Sequence, residues 1–217
     1  LPKHNSVSQY DLTYQVTVDG KISGSIIQKG TGYSAERIRE KLNENTPHEV
    51  SEALLKDYET AHIDTAGVSG MEYKSKTALH YTEFELDGFN GDSLREVNYL
   101  NPLLFLADEK NILERPERKF PVYFPYPIQE MKNVSITLPE GYVVEEVPES
   151  GQFALPENKA WLNFQVQSTD NSVRVISILN IGTMFFPVED YKELRNLFVK
   201  LAENHSSPVV IRKSSSE

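Results

Sequence analysis

From Tyr10 to Val18 apolar and aromatic residues alternate with polar ones, and a second such run returns from Lys21 to Lys29. A period of two puts alternate side chains on opposite faces of a strand, and Asp19-Gly20 between the runs supplies a turn able to take φ > 0. The pattern predicts a hairpin. The period then lengthens: Ala35, Ile38 and Leu42 recur at helical spacing behind Ser34, a residue suited to the N-cap. Thr46-Pro47-His48-Glu49 opens a second helix, with Thr as cap, Pro in the first turn and Glu placed to bond back to the cap. Val50, Ala53, Leu54 and Tyr58 would form its buried stripe.

Strands return at Lys76–Leu86 and Ser93–Leu100, separated by the turn-rich run 87–92. Prolines at 102, 116, 121, 125 and 127 then interrupt any regular element, because proline cannot serve a central strand. We place a boundary here, giving a β-rich half at 1–125 with two helices and a second half at 126–217 with one packed helix. In the second half strands are expected at Asn133–Leu138, Tyr142–Val147, Gln152–Leu155, Ala160–Gln167, Ser172–Ile181 and Pro208–Arg212. Ser172–Ile181 becomes apolar on both faces toward its end and is expected to be central. Glu189 to about Asn204 reads as a helix whose stripe is Tyr191, Leu194, Leu197, Phe198 and Leu201, and the Ser-rich tail from Ser214 is expected to be disordered. The fold class is therefore mainly β (α+β), with antiparallel, sandwich-like halves and accessory helices.

Composition narrows the functional classes. The 217 residues carry 32 acidic and 22 basic side chains, a formal net charge of −10, so a polyanion would meet net repulsion and neither nucleic acid nor an anionic membrane is an expected partner. There is no cysteine, which removes disulfides, thiolate metal sites and a thiol nucleophile together. The longest apolar stretch, Val173 to Val188, is interrupted by Arg174, Asn180 and Pro187 and is too short to cross a bilayer. The chain begins Leu1-Pro2-Lys3, which reads as a fragment or a mature form.

Several strings imitate catalytic motifs. Gly30-Thr31-Gly32-Tyr33-Ser34-Ala35 fits the dinucleotide-binding turn, yet its strand is the return arm of a hairpin and a second helix follows, so a glycine-rich strand-to-helix turn is the plainer reading. The histidines at 4, 48, 62, 80 and 205 share no metal-ligand spacing. Glu83 and Glu85 lie on one strand face as a carboxylate pair would, but Phe84 and Leu86 supply a buried face, making theirs a solvated one. Gly67-Val68-Ser69-Gly70 lacks the second spacing of a nucleophile elbow. No catalytic residue, cofactor-binding residue or metal ligand is assigned. Phe120, Tyr123, Phe124 and Tyr126, interleaved with prolines, could offer a shelf for a sugar or peptide; the plainer alternative is a linker pinned by its own aromatics.

The strings Arg118–Pro125 (RKFPVYFP), Leu138–Pro148 (LPEGYVVEEVP), Tyr191–Phe198 (YKELRNLF) and Pro208–Lys213 (PVVIRK) resemble the C-terminal region of bacterial multidomain transglutaminase-like proteins, some of them called "putative proteases". Val18–Gly24 (VDGKISG) and Gly32–Arg37 (GYSAER) resemble the segment following the catalytic core of that family. The resemblance implies an N-terminal β-sandwich, a Cys-His-Asp core and then this β-rich end. The core's nucleophile is a cysteine, so no catalytic residue carries over to this chain. What it implies is a non-catalytic accessory module that packs against the upstream core of the same polypeptide or shapes access to it, exported from the bacterial cytoplasm to the periplasm or beyond. The alternative is an independent carbohydrate- or peptide-binding module.

Overall fold

The computed structural model describes residues 6–89 and 91–214; His4, Asn90 of the turn-rich run and residues 215–217 of the tail lie outside them. The fold is mostly β, with several antiparallel sheets and a few helices. Strands β1 (Ser6–Val16) and β2 (Lys21–Thr31) form the hairpin read from the sequence, followed by helices α1 (Tyr33–Glu44) and α2 (Pro47–Leu54). Then come β3 (His62–Ser69), β4 (Thr77–Asp87), β5 (Val97–Leu100) and the short β6 (Val122–Tyr123). The remainder is β7 (Ile128–Thr137), β8 (Tyr142–Glu146), β9 (Gly151–Ala154), β10 (Ala160–Ser168), β11 (Ser172–Ile181), β12 (Phe185–Phe186), α3 (Tyr191–Ser206) and β13 (Val209–Lys213).

One eight-stranded sheet, in the order β3-β4-β2-β1-β7-β11-β10-β9, runs through both sequence halves. Its halves meet where β1 lies parallel to β7, with Ser6 opposite Ile128 and Leu12 opposite Val134; every other pairing in this sheet is antiparallel. A three-stranded sheet, β5-β13-β8, and the ribbon β12-β6 complete the β structure. As its apolar pattern suggested, β11 is internal, between β7 and β10.

One face of the large sheet is covered. Helix α1 packs on β1, β2 and β4, and α3 packs on β9 and β10. The strands contribute alternate residues to this face, among them Leu12, Tyr14, Ile22, Ile26, Phe84, Leu86, Val134, Ile136, Val173 and Val175, which form the largest core cluster. A second cluster gathers Leu162 and Ile181 with Tyr191, Leu194, Leu197, Phe198 and Leu201, the stripe predicted for the last helix.

Three local details depart from the sequence reading. Ser34 is inside α1 rather than capping it: the cap position is Gly32, and Ser6 Oγ of β1 accepts the Tyr33 N–H at 3.0 Å. The N-terminal donor is thus satisfied from a neighbouring strand. In α2 the capping box forms as written, and Leu54 and Tyr58 of the expected stripe are half-buried against the main core, but Ala53 is exposed and the fully buried positions are Ser51 and, just past the helix, Leu55. Ser51 lies inward because its hydroxyl meets Thr82 Oγ1 at 2.7 Å, as well as Pro47 O. Strand β3 had no expectation; it is an edge strand with a bulge between Ile63 and Thr65 and four exposed polar residues, which erases the period of two.

Candidate functional site

The covered face carries a line of polar residues in register across five strands. His80 of β4 stands opposite Gln28 of β2, Gln28 opposite Tyr10 of β1, Tyr10 opposite Lys132 of β7, and Lys132 opposite Ser177 of β11. Gln28 Nε2 donates to Tyr10 Oη at 3.3 Å. Burial, reinforced by the charge of Glu130, pushes the Tyr10 phenol up to about 12.

The line ends in a dense cluster. Lys132 is 5% exposed, and its ammonium pairs with Asp108 and, at 3.0 Å, with Glu130. His205, at the end of α3, is 1% exposed; its Nε2 lies 2.8 Å from Ser177 Oγ and its Nδ1 lies 3.5 Å from Asp108 Oδ2. Serine, histidine and aspartate therefore meet in the order of a hydrolytic triad. The hydrogen atoms are arranged the other way. Nδ1 accepts the backbone N–H of Asp108 at 2.9 Å, so in the neutral ring the proton sits on Nε2, which donates to Ser177 Oγ. A triad base must instead accept from the serine at Nε2 and donate from Nδ1 to the carboxylate. Burial lowers the His205 pKa, in keeping with this neutral ring. Burial alone would raise Asp108, but its pairing with the Lys132 ammonium pulls its carboxyl down to about 2.

A second buried histidine, His80, follows the same logic: its Nε2 is 3.1 Å from Pro47 O and 3.2 Å from Ser51 Oγ, and burial lowers its pKa. His48 and His62 are exposed, at 3.6 Å from Glu52 and 3.5 Å from Asp64 respectively. Among the described residues no group of three or more His, Asp or Glu could hold a metal ion.

Beside the Lys132 cluster the sheet is left open between α1 and α3. A cleft of about 210 Å³ occupies this gap. Its floor is Ile128 of β7 with Leu179 and Ile181 of β11, and Phe198 and Leu201 of α3 form one wall. Phe124 and Tyr126 line it as well, while Arg37 of α1 and Lys110 join Asp108 and Glu130 in the lining. Two of the four residues singled out as an interaction surface thus border a real concavity. Phe124 packs edge-on against Phe186 at 5.7 Å, and Tyr126 stacks on Tyr33 at 4.6 Å. The other two, Phe120 and Tyr123, are 77% and 71% exposed. Tyr123 meets Phe185 at 5.2 Å on the ribbon, because adjacent residues of a strand point to opposite sides.

The remaining motifs resolve as structural features. Gly30 is in an antiparallel strand, where a Cβ would fall 2.6 Å from the Ser34 carbonyl carbon; Gly32 has φ 56°, a conformation suited to glycine. The dinucleotide-like string is a tight strand-to-helix turn. Glu83 and Glu85 project from the outer face of β4, where Glu85 pairs with Lys21 at 2.7 Å, while Phe84 and Leu86 are buried. Among the described residues no helix is long and apolar enough to cross a membrane. The sequence did not reveal the Ser177–His205–Asp108 cluster, since its members are separated by 28 and 97 residues along the chain.

A β-rich protein with a buried polar cluster beside an apolar cleft is the class these features define. Residues 96–211 match a family model described as a domain of unknown function with a solved structure, DUF3858, and the chain belongs to that family. The cluster of Asp108, Glu130, Lys132, Ser177 and His205 and the cleft floor all lie within the matched segment, whereas Arg37 comes from outside it. A crystal structure of a "putative protease" from Parabacteroides distasonis ATCC 8503 is similar at 14% identity and a TM-score of 0.40. That match covers 45% of this chain and 19% of the other, so the chain spans less than a fifth of the protein it resembles. No curated protein matches the chain.

Proposed function

We propose that this chain is a non-catalytic accessory module of a longer, transglutaminase-like protein, and that the cleft between α1 and α3 is a ligand-binding site beside its contact with the upstream core. The observation carrying this reading is the gap over β7 and β11: apolar side chains of sheet and helix face an opening that no helix of the described residues fills. Small-molecule and side-chain sites are concave and mostly apolar with a few polar groups around them, which describes this cleft. The wiring of His205 supports the non-catalytic part. With its Nε2 proton directed at Ser177 and its Nδ1 occupied by a backbone donor, the ring is not disposed to remove the serine proton.

The isolated chain is expected to show no amidase, peptidase or transamidase turnover. Turnover that disappears in Ser177→Ala would overturn the reading. For the binding part, the separately produced upstream core mixed with this chain should form a complex. Ile112→Glu, at an exposed position lining the cleft, should weaken that complex without altering the melting temperature. A complex indifferent to Ile112→Glu would move the contact elsewhere on the surface.

A further inference from the structure

Resting on the cleft reading above, we propose that the group this cleft takes is an apolar monocarboxylate: a compact hydrocarbon body carrying one carboxylate. Two sets of observations lead there. The first is the size and lining. At about 210 Å³ the cleft is smaller than the ~300 Å³ at which drug-sized ligand sites begin, so it suits one side-chain-sized body. Ile128, Leu179, Ile181, Phe198 and Leu201 offer that body no hydrogen bond, and the two serine hydroxyls of the lining, Ser8 and Ser34, already bond each other at 2.9 Å, which disfavours a sugar ring with its many hydroxyls.

The second is the state of the four charges lining the cleft. Asp108 and Glu130 are already committed, because both carboxylates hold the buried Lys132 ammonium. Arg37 and Lys110 are exposed and have no ion-pair partner among the described residues. In a chain of net charge −10, two unpaired cations lining one apolar cleft select for an anion. A carboxylate attached to the buried body would meet Arg37 and Lys110 while its hydrocarbon covers the floor. The same chemistry could come from a free alkyl or aryl acid or from the C-terminal residue of a peptide ending in a large apolar side chain.

The test uses the whole chain and two probes of equal length, octanoate and octanol, titrated at low salt while the methyl signals of Ile112, Leu179 and Ile181 are followed by NMR. Octanoate should bind about tenfold more tightly than octanol, the order expected for two exposed charge contacts. The double variant Arg37→Gln/Lys110→Gln should erase that advantage and leave octanol affinity unchanged. Equal affinities in the wild type, or an advantage that survives the double variant, would overturn the proposal while leaving the cleft reading intact. If neither probe shifts these methyls, the cleft reading falls and the proposal with it. A short peptide ending in leucine, compared with its C-terminal amide, separates the two sources: competition with octanoate by the free acid alone assigns a peptide terminus, and no competition assigns a small acid.

Discussion

His205 shows how a single hydrogen-bond direction decides what a residue can do. Its Nδ1 accepts from the Asp108 backbone, so protonation would set an N–H against an N–H inside a buried cluster. Burial and this contact both favour the neutral ring. The consequence for stability has a definite sign. The unfolded chain takes up the His205 proton near the ordinary value of 6.5, and the folded chain only at lower pH. The stabilisation is therefore complete above about pH 6.5 and is lost as pH falls from there toward the folded value, with a slope of up to about 1.4 kcal/mol per pH unit for one proton. His80 adds a contribution of the same sign. Asp108, held at about 2 against an ordinary 3.8, adds a further loss as pH falls from about 3.8 toward 2. Urea midpoints measured between pH 8 and 5 should fall with acid, and His205→Gln should fall less steeply; an unchanged slope would show that His205 is not the group titrating. At the same cluster Asp108→Ala should cost about 2 kcal/mol. That is below the usual 3–5 kcal/mol for stranding a buried charge, because Asp108 is itself 46% exposed and Glu130 still pairs with Lys132. Lys132→Met, which removes the buried charge instead of stranding it, should cost less in the same denaturation measurement.

At the scale of elements, the sequence was most legible where local rules act alone. Thr46 and Glu49 form the capping box that their spacing announced, and Thr46→Ala should cost about 1 kcal/mol by thermal unfolding. The stripe of α3 was equally plain, since Leu194, Leu197, Phe198 and Leu201 recur at helical spacing and are all buried. Phe198→Ala should cost about 3 kcal/mol, toward the low end for a buried Phe because one side of the ring borders the cleft and can relax into it. A neutral effect on melting would mean that this face of α3 is not enclosed. Legibility failed where partners come from far along the chain. Ser34 satisfies every local preference for an N-cap, yet the donor at that end is taken by Ser6, 27 residues earlier. Strand β3 went unread because an edge strand buries little and so carries little alternation. The aromatic run 120–126 was found from composition, but its division into a cleft-facing pair and an exposed pair depends on the ribbon with Phe185 and Phe186, which no spacing within the run encodes.

For the whole molecule the largest unread feature was the parallel join of β1 and β7. Each strand showed its own alternation, but the register of a pair 122 residues apart is set by the two buried faces meeting, not by any turn between them. That join makes the two sequence halves one sheet, and the dependence goes beyond backbone pairing. Within 126–217, β7 would lose its partner β1, β13 would lose β5 and β12 would lose β6. Lys132 would lose Asp108, and His205 would lose both the Asp108 N–H and the Asn101 amide that donates to its carbonyl at 2.9 Å. The second core would lose Val122 and the half-buried Phe124. Such a fragment keeps the packed pair of α3 and β10 but exposes one edge of a central strand and leaves the buried Lys132 with Glu130 as its one remaining ion-pair partner, which is a costly combination. We therefore expect residues 126–217 produced alone to lack the dispersed NMR spectrum of a folded chain, and the intact chain to unfold in one urea transition reported alike by Trp161 fluorescence and far-ultraviolet circular dichroism. A folded 126–217 fragment, or two separated transitions in the intact chain, would show that the parallel join is a contact between two self-sufficient halves and not part of a single cooperative core.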